Sequence, residues 1–479
     1  MALRNDEFQP LFRRPMRRVR TVHMVGIGGV GMAGIAQVLL NLGYTVTGSD
    51  MAAGASVQAL VQQGAQVSIG HAAEHIAGAD VVVLSTAIAS DNPEVVAARE
   101  QLLPVVPRAQ MLAELMRFRY GIAVAGTHGK TTTTSLTAAL LAEGELDPTF
   151  VVGGRVLGVD SNARLGAGPY LVAEADESDA SFLLLTPMIA IVTNIDADHL
   201  GAYDNDFARL VEAFLEFLHH LPFYGLAVLC MDDPVVKDML PSVARPILTY
   251  GTDPAADVRA VDIRPQGHGT SFTLQAPGLD KPVPMHLKLP GTHNVRNALA
   301  AVAVALELGV PVAALQQGLA QFAGIGRRCE VLGEVELGGK RCLLVDDYGH
   351  HPQEISATLD AVRAGWPERR LVVVFQPHRY SRTQDLFDDF CRVLADLETL
   401  VLCEVYAAGE QAIAGADGRS LARGVRARGR VEPVFVAELE ELAQVLAAVI
   451  ETGDVVLTLG AGNIGTAVRH LLLQPGGEQ

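Results

Sequence analysis

A chain of 479 residues is long enough for about three domains, at a rough 150 residues each. Its 49% hydrophobic and 19% charged residues are an ordinary globular composition that argues against disorder, and the longest apolar run, Ala298 to Leu306, falls far short of the roughly 18 residues a membrane span requires. A net charge of -17 disfavours a nucleic-acid or anionic-membrane binder, and the one basic stretch, FRRPMRRVR, lacks an apolar signal-peptide core and reads as a solvated arm.

The first segment alternates short apolar runs with helical patterns: RTVHMVGIG, a helix through GIAQVLLNLG, then TVTGSD, VQALVQQGAQV, ADVVVLSTAI and a helix through EVVAARE. That alternation predicts a doubly wound parallel sheet ending near Arg119. Its opening strand runs into Gly26, Gly28 and Gly31, spaced G-x-G-x-x-G, and Asp50 ends the second strand where a ribose-binding acid belongs. The fingerprint alone admits an NAD(P)-dependent oxidoreductase; any diphosphate ligand, a UDP-sugar included, satisfies it equally.

A second α/β unit opens with the strand YGIAVAG and the loop GTHGKTT. Gly126 and Gly129 let successive backbone N–H groups turn toward phosphate, with Thr127 and His128 between them, Lys130 supplies a mobile charge, and Thr131, followed by Thr132, offers a hydroxyl to Mg2+. The spacing departs from G-x-x-x-x-G-K-[ST], because position 124 is Val and the leading glycine is Gly126. The chain has five lysines against 32 arginines, so a lysine inside a glycine loop stands out. Downstream, PYLVAEADESD, MIAIVTNIDADHL and YGLAVLCMDDP read as strands, alternation between Asp257 and Pro290 predicts appended antiparallel strands, and NVRNALAAVAVALELG reads as a closing helix.

A third α/β unit has strands near CLLVDDYG, RLVVVFQP, TLVLCEVY and DVVLTLG. Its last strand enters GAGNIG, but the chain ends before a following strand could supply a ribose acid, so this loop reads as close helix–sheet packing. The cysteines, Cys230, Cys329, Cys342, Cys391 and Cys403, are scattered and form no C-x-x-C pair, which fits buried thiols in a reducing cytosol.

The motifs AGTHGKTTTT, EADESD, TNIDADHL, GTHNVRNALAA, GRRCE, DDYGHHP and FQPHRYSRT occur in the order found in Mur ligases, and the chain resembles that family over nearly its whole length. The resemblance implies a Rossmann-like N-terminal domain over 1–119, a central P-loop-type ATPase domain with appended antiparallel strands over 120–326, and a Rossmann-like C-terminal domain over 327–479. It also implies ATP and Mg2+ as cofactors, UDP-N-acetylmuramate and L-alanine as small-molecule substrates, an acyl phosphate intermediate and a cytoplasmic location. No lysine lies between Lys130 and Lys237, where later-acting family members carry a carbamylated lysine. That absence favours the alanine-adding branch or the related ligase that recycles a tripeptide onto the same sugar.

Carried over residue by residue, the resemblance implies that Lys130 meets the β- and γ-phosphates, that Thr131 holds one Mg2+, and that Glu174 and His199 hold a second. Asp196 and Asp198 could serve as metal ligands or as caps; Asp176 and Glu177 as supporting or solvated charges. His293 and Asn297, four apart on the predicted helix, would meet adenine, Asp346 the ribose, and Arg328 the phosphates, with Arg327 exposed beside it. Tyr348, His350, His378, Arg379 and Arg382 would take the amino acid, His350 helping to deprotonate its amine. Gly28, Gly29, Gly31, Ser49, Asp50, His71, Ser85, Thr86 and Arg108 would hold UDP-N-acetylmuramate.

Overall fold

The computed structural model describes residue 16 and residues 18–85, 87–157, 161–198, 200–266 and 268–473. Thr86, His199 and most of the basic N-terminal stretch lie outside the described residues. By its contacts the chain divides into two compact units, one of Met1–Val261, Thr273–Met285 and Arg296–Ala323, the other of Asp262–Phe272, His286–Val295 and Gly324–Gln479.

Three sheets carry the α/β architecture. The first has five strands in the order β3-β2-β1-β4-β5, with β1 Thr21–Val25, β2 Thr45–Asp50, β3 Gln66–Ile69, β4 Val81–Leu84 and β5 Val105–Pro107, every neighbouring pair parallel. Strand β1 lies at its centre, and both faces of it are covered, which is why four of its five residues are buried instead of alternating.

The second sheet has ten strands: β6 Tyr120–Ala125, β7 Thr149–Val156, β8 Ser161–Arg164, β9 Tyr170–Glu174, β10 Ile189–Val192, β11 Leu226–Cys230, β12 Ile247–Gly251, β13 Val258–Gln266, β14 Gly269–Gln275 and β15 Val283–Leu287. Strand β6 sits between β9 and β10, parallel to both. The appended strands follow in the order β12-β13-β14-β15, but β13 joins β12 in parallel, pairing Tyr250 with Val258, so the antiparallel expectation fails at that join. The hairpin of β7 and β8, which no periodicity announced, provides the seat for the helix Val30–Asn41: a side chain on Gly34 would meet Ala163 at 3.2 Å and Val151 at 3.3 Å. One continuous apolar core therefore runs from Val22 and Met24 of the first sheet to Phe214 and Leu229 around the second.

The third sheet, in the second unit, has the order β16-β17-β21-β18-β19-β20: β16 Glu330–Leu337, β17 Lys340–Asp347, β18 Leu371–Phe375, β19 Thr399–Cys403, β20 Val434–Val436 and β21 Val455–Leu459. Only the β16–β17 hairpin is antiparallel. All five cysteines are buried and free, and burial holds the thiols of Cys230, Cys342 and Cys403 above the ordinary range.

Candidate active site

The central loop is set by the strand before it and the loop beside it. All residues of β6 after Tyr120 are buried, so the chain leaves the sheet rigidly at Ala125. Gly129 caps the helix Lys130–Glu143 at φ +81°, a left-handed conformation that L side chains rarely adopt. The run of threonines continues as helix because their buried hydroxyls bond back one turn: Thr134 to the carbonyl of Lys130 at 2.8 Å and Thr137 to that of Thr133 at 2.7 Å.

The segment after β10 staples this loop in place. His128 N donates to Asn194 Oδ1 at 2.8 Å, Asn194 Nδ2 and Thr193 Oγ1 donate to the His128 carbonyl at 2.9 and 2.7 Å, and Asp196 N donates to Thr127 Oγ1 at 2.9 Å. The His128 ring lies 3.3 Å from Asp196. Thr193 and Asn194, unmarked as site residues in the sequence, thus shape the loop, and Asp196 serves it as a partner of Thr127 and His128.

Lys130 does not extend into solvent. Its Nζ donates to the carbonyls of Gly126 and Thr127 at 2.7 and 3.1 Å and to both oxygens of Glu177 at 3.0 and 2.8 Å, and Glu177 is fully buried. Burial pulls the ammonium downward, but the charges of Glu177, Asp176 and Glu174 outweigh it and hold Lys130 above the usual lysine range. Asp176 has the mirror behaviour: burial raises it, while Lys130, Ser178 and Arg108 bring it below the ordinary carboxylate value. Glu177 is therefore the buried counter-ion of the loop lysine, not a solvated charge.

Arg108 joins this centre to the first glycine loop. Its guanidinium lies 3.6 Å from Asp176 and fills the space that a side chain on Gly31 would need. Asn297, on the helix Thr292–Glu307, packs over Gly129 and accepts from Thr133 Oγ1 at 3.3 Å; His293 lies one turn earlier on that helix, half-buried. Glu174 ends β9 and accepts from Gly153 N at 2.9 Å. With the half-buried Thr131 hydroxyl at the helix start, it offers the oxygen donors that a hard divalent cation prefers.

The first glycine loop opens onto a cleft of about 510 Å³ lined by Gly28, Gly29, Asp50, His71 and Ser85. Asp50 Oδ2 accepts from Gly28 N at 2.8 Å. A side chain on Gly28 would meet that oxygen at 2.8 Å and Val57 at 2.9 Å, so only glycine lets the backbone approach this closely. Ser49 is buried behind His71, and Gly31 faces Arg108 instead of the cleft.

In the second unit, Tyr348, His350, His378 and Arg382 gather beyond the ends of β17 and β18. His350 packs edge-on to Tyr348 at 5.6 Å and lies 5.9 Å from His378, which stacks on Tyr406 at 5.5 Å; Arg382 reaches the His378 ring at 3.5 Å. Arg328 lies 3.7 Å from Glu354 and 5.3 Å from the Tyr348 ring, whereas Arg379 leans toward Glu410 at 3.9 Å. Burial, reinforced by Arg382, lowers both histidines to about 4, so both are neutral at pH 7.

Asp346 is fully buried, accepting from Arg327 Nε at 3.2 Å and Thr458 Oγ1 at 2.9 Å. Arg327, expected to be exposed, donates to that carboxylate and to the carbonyls of Gly460 and Gly462, which makes the GAGNIG loop its acceptor.

Residues 21–120 match the Mur ligase family, catalytic domain; residues 124–305 match the Mur ligase middle domain; and residues 327–462 match the Mur ligase, glutamate ligase domain. The chain belongs to the Mur ligase family. It is 61% identical over 463 residues to the UDP-N-acetylmuramate--L-alanine ligase of Halorhodospira halophila, covering 95% of each chain. It is 57% identical to the protein of the same name from Methylococcus capsulatus, covering 97% of this chain and 98% of that one. Among solved structures, a UDP-N-acetylmuramate-alanine ligase from Thermotoga maritima matches with a TM-score of 0.80 at 28% identity, over 95% of this chain and 98% of that one. A murein peptide ligase from Psychrobacter arcticus matches less closely, with a TM-score of 0.69 at 26% identity over 95% and 98% of the two chains. The three-domain α/β fold is thus that of a Mur ligase, and no described helix is long and apolar enough to cross a membrane.

Proposed function

We propose that this Mur ligase joins L-alanine to the lactyl carboxylate of UDP-N-acetylmuramate at the expense of ATP, in the cytoplasm, with the domains divided near residues 119 and 326. The observation that carries the reading is Arg108. It meets the start of the first glycine loop's helix at one end and Asp176, beside Lys130, at the other. A ligand held by the first loop therefore ends near the phosphoryl site of the second. The extensive identity to enzymes named for this reaction supports the choice of substrates.

In the proposed reaction a lactyl carboxylate oxygen attacks the γ-phosphorus of ATP and the bond to ADP breaks. The alanine nitrogen then attacks the acyl carbon, the amine loses a proton, and phosphate leaves. Both steps bring anions together, so positioning and charge neutralisation carry most of the rate. Lys130 exchanges Glu177 for the β- and γ-phosphate oxygens, the loop N–H groups and the helix N-terminus hold the phosphates, and Arg108 neutralises charge between the substrates. Thr131 and Glu174, with His199, would hold Mg2+, which when bound supplies charge neutralisation on the phosphoryl oxygens. Asn297, with His293 one turn before it, is suited to the adenine side. Arg382 can pair with the alanine carboxylate, and neutral His350 can accept a hydrogen bond or proton from the amine.

Phosphate release from ATP, assayed with L-alanine, glycine, L-serine and the recycling tripeptide as acceptors, tests the reading. Release should require UDP-N-acetylmuramate and be fastest with L-alanine. Release without the UDP-sugar, or fastest with the tripeptide, would replace it.

A further inference from the structure

Behind the first cleft lies a charge that the reaction scheme does not use. Glu94 stands in the first turn of the helix Pro93–Glu100 and is fully buried, yet it has an acceptor's full set of partners. Ser49 Oγ lies 2.6 Å from its Oε2 and His23 Nε2 lies 3.2 Å from the same oxygen; His75 Nδ1 and Ala72 N reach Oε1 at 2.8 and 3.2 Å. These contacts outweigh burial, which alone would raise the carboxyl, and bring Glu94 down to about 2. The carboxylate is ionised and has no proton to give.

The proton on each partner follows. Ser49 has one hydroxyl hydrogen and donates it to Glu94, so its oxygen accepts from His71 Nδ1, 3.0 Å away. His71 therefore carries its proton on Nδ1, and Nε2 is the atom its ring has left to offer in the cleft that Gly28, Asp50 and Ser85 share with it. His23, by the same logic, donates from Nε2 to Glu94, and its Nδ1 lies 2.8 Å from Thr47 Oγ1. The ionisable groups facing Glu94 are His23 from β1, His71 after β3 and His75 from the turn Ala73–Ile76, with Asp50 of β2 on the cleft wall.

We propose that Glu94 is a positioning residue for the UDP-sugar: through Ser49 it holds the His71 ring with its Nδ1 proton turned inward and Nε2 turned to the substrate in the cleft. The inference rests on the reading of this cleft as the UDP-sugar site. Glu94 touches no ligand; it acts on the one ring that does.

The test is a double-mutant cycle on the full-length enzyme, measuring phosphate release with UDP-N-acetylmuramate varied and ATP and L-alanine saturating. Loss of that orientation predicts that Glu94→Gln raises the KM for the UDP-sugar about fivefold to tenfold and leaves kcat within about twofold. Added to His71→Ala, the same substitution should raise KM by less than about twofold more, because the ring it acts on is gone. An unchanged KM in folded Glu94→Gln, a fall in kcat alone, or effects that multiply in the double variant would each overturn the proposal. If Glu94→Gln does not fold, Ser49→Ala and His71→Ala form the equivalent cycle, and independent effects there would overturn it equally. Should His71→Ala leave KM unchanged while the wild type still ligates alanine, the positioning role falls and the ligase reading stands.

Discussion

The two glycine loops of the first unit have nearly the same backbone plan and opposite surroundings. Each leaves the end of a buried central parallel strand, turns on glycines and enters a helix. Behind the central loop lies a cation, Lys130, held by the buried Glu177; behind the first lies an anion, Glu94, held by histidines and Ser49. The turn explains only that phosphate can be held. On the proposed reading, what is packed behind the turn separates a loop that holds phosphate from one that transfers it, with Lys130 leaving Glu177 for a phosphoryl group.

The largest effect expected from breaking this contrast is Lys130→Ala, which should lower kcat by about a thousandfold or more, as removal of a charge that stabilises the transferring group does. Steady-state phosphate release measures it. Placing a methyl at Gly28, where it would meet Asp50 Oδ2 at 2.8 Å, should act on the other loop. Gly28→Ala is expected to raise the KM for the UDP-sugar about tenfold and to leave the KM for ATP unchanged.

Stability separates the loops as well. Glu177→Gln leaves Lys130 buried beside a neutral amide, with two carbonyls still in contact, and should cost about 2 kcal/mol. Thermal unfolding without and with ATP checks it, because ATP offers the lysine a replacement partner and should recover part of the loss. The loops should also differ in their pH dependence. Glu94 sits at about 2 in the fold against 4.5 for an ordinary glutamate, so its contribution is complete above 4.5 and is lost as pH falls from there through 2. Lys130, raised above 10.5, contributes fully below that value and loses its contribution only as pH rises through the folded pKa. Acid should therefore loosen the first loop and alkali the second, and Glu94→Gln should flatten the stability profile between pH 4.5 and 2.

Much of this plan is legible in the chain because strand and loop signals are local. VHMVGIG and YGIAVAG end in glycine, and the lysine of GTHGKTT is conspicuous among so few. The hairpin of β7 and β8 was not legible, since TFVVGGRV is interrupted by glycines and gains its place from the helix Val30–Asn41 that rests on it. Glu94 and Glu177 look like any surface acid in sequence. Their burial depends on Ser49, 45 positions away, and on Lys130, 47 positions away. Asp346 reads in sequence as a strand-end aspartate, and its enclosure by Arg327 and Thr458 is likewise a tertiary fact. Arg108 lies against Gly31 of the first loop, and its reach to Asp176 is a tertiary fact.

The division of labour between the loops is tested most directly by calorimetric titration of UDP-N-acetylmuramate into the Lys130→Ala protein, which should release no phosphate. Binding with an affinity within about twofold of the wild type would show that the first loop holds the sugar nucleotide independently of the phosphoryl site. Loss of UDP-sugar binding in a folded Lys130→Ala protein would contradict it, because the central loop would then be holding the substrate as well as transferring phosphate.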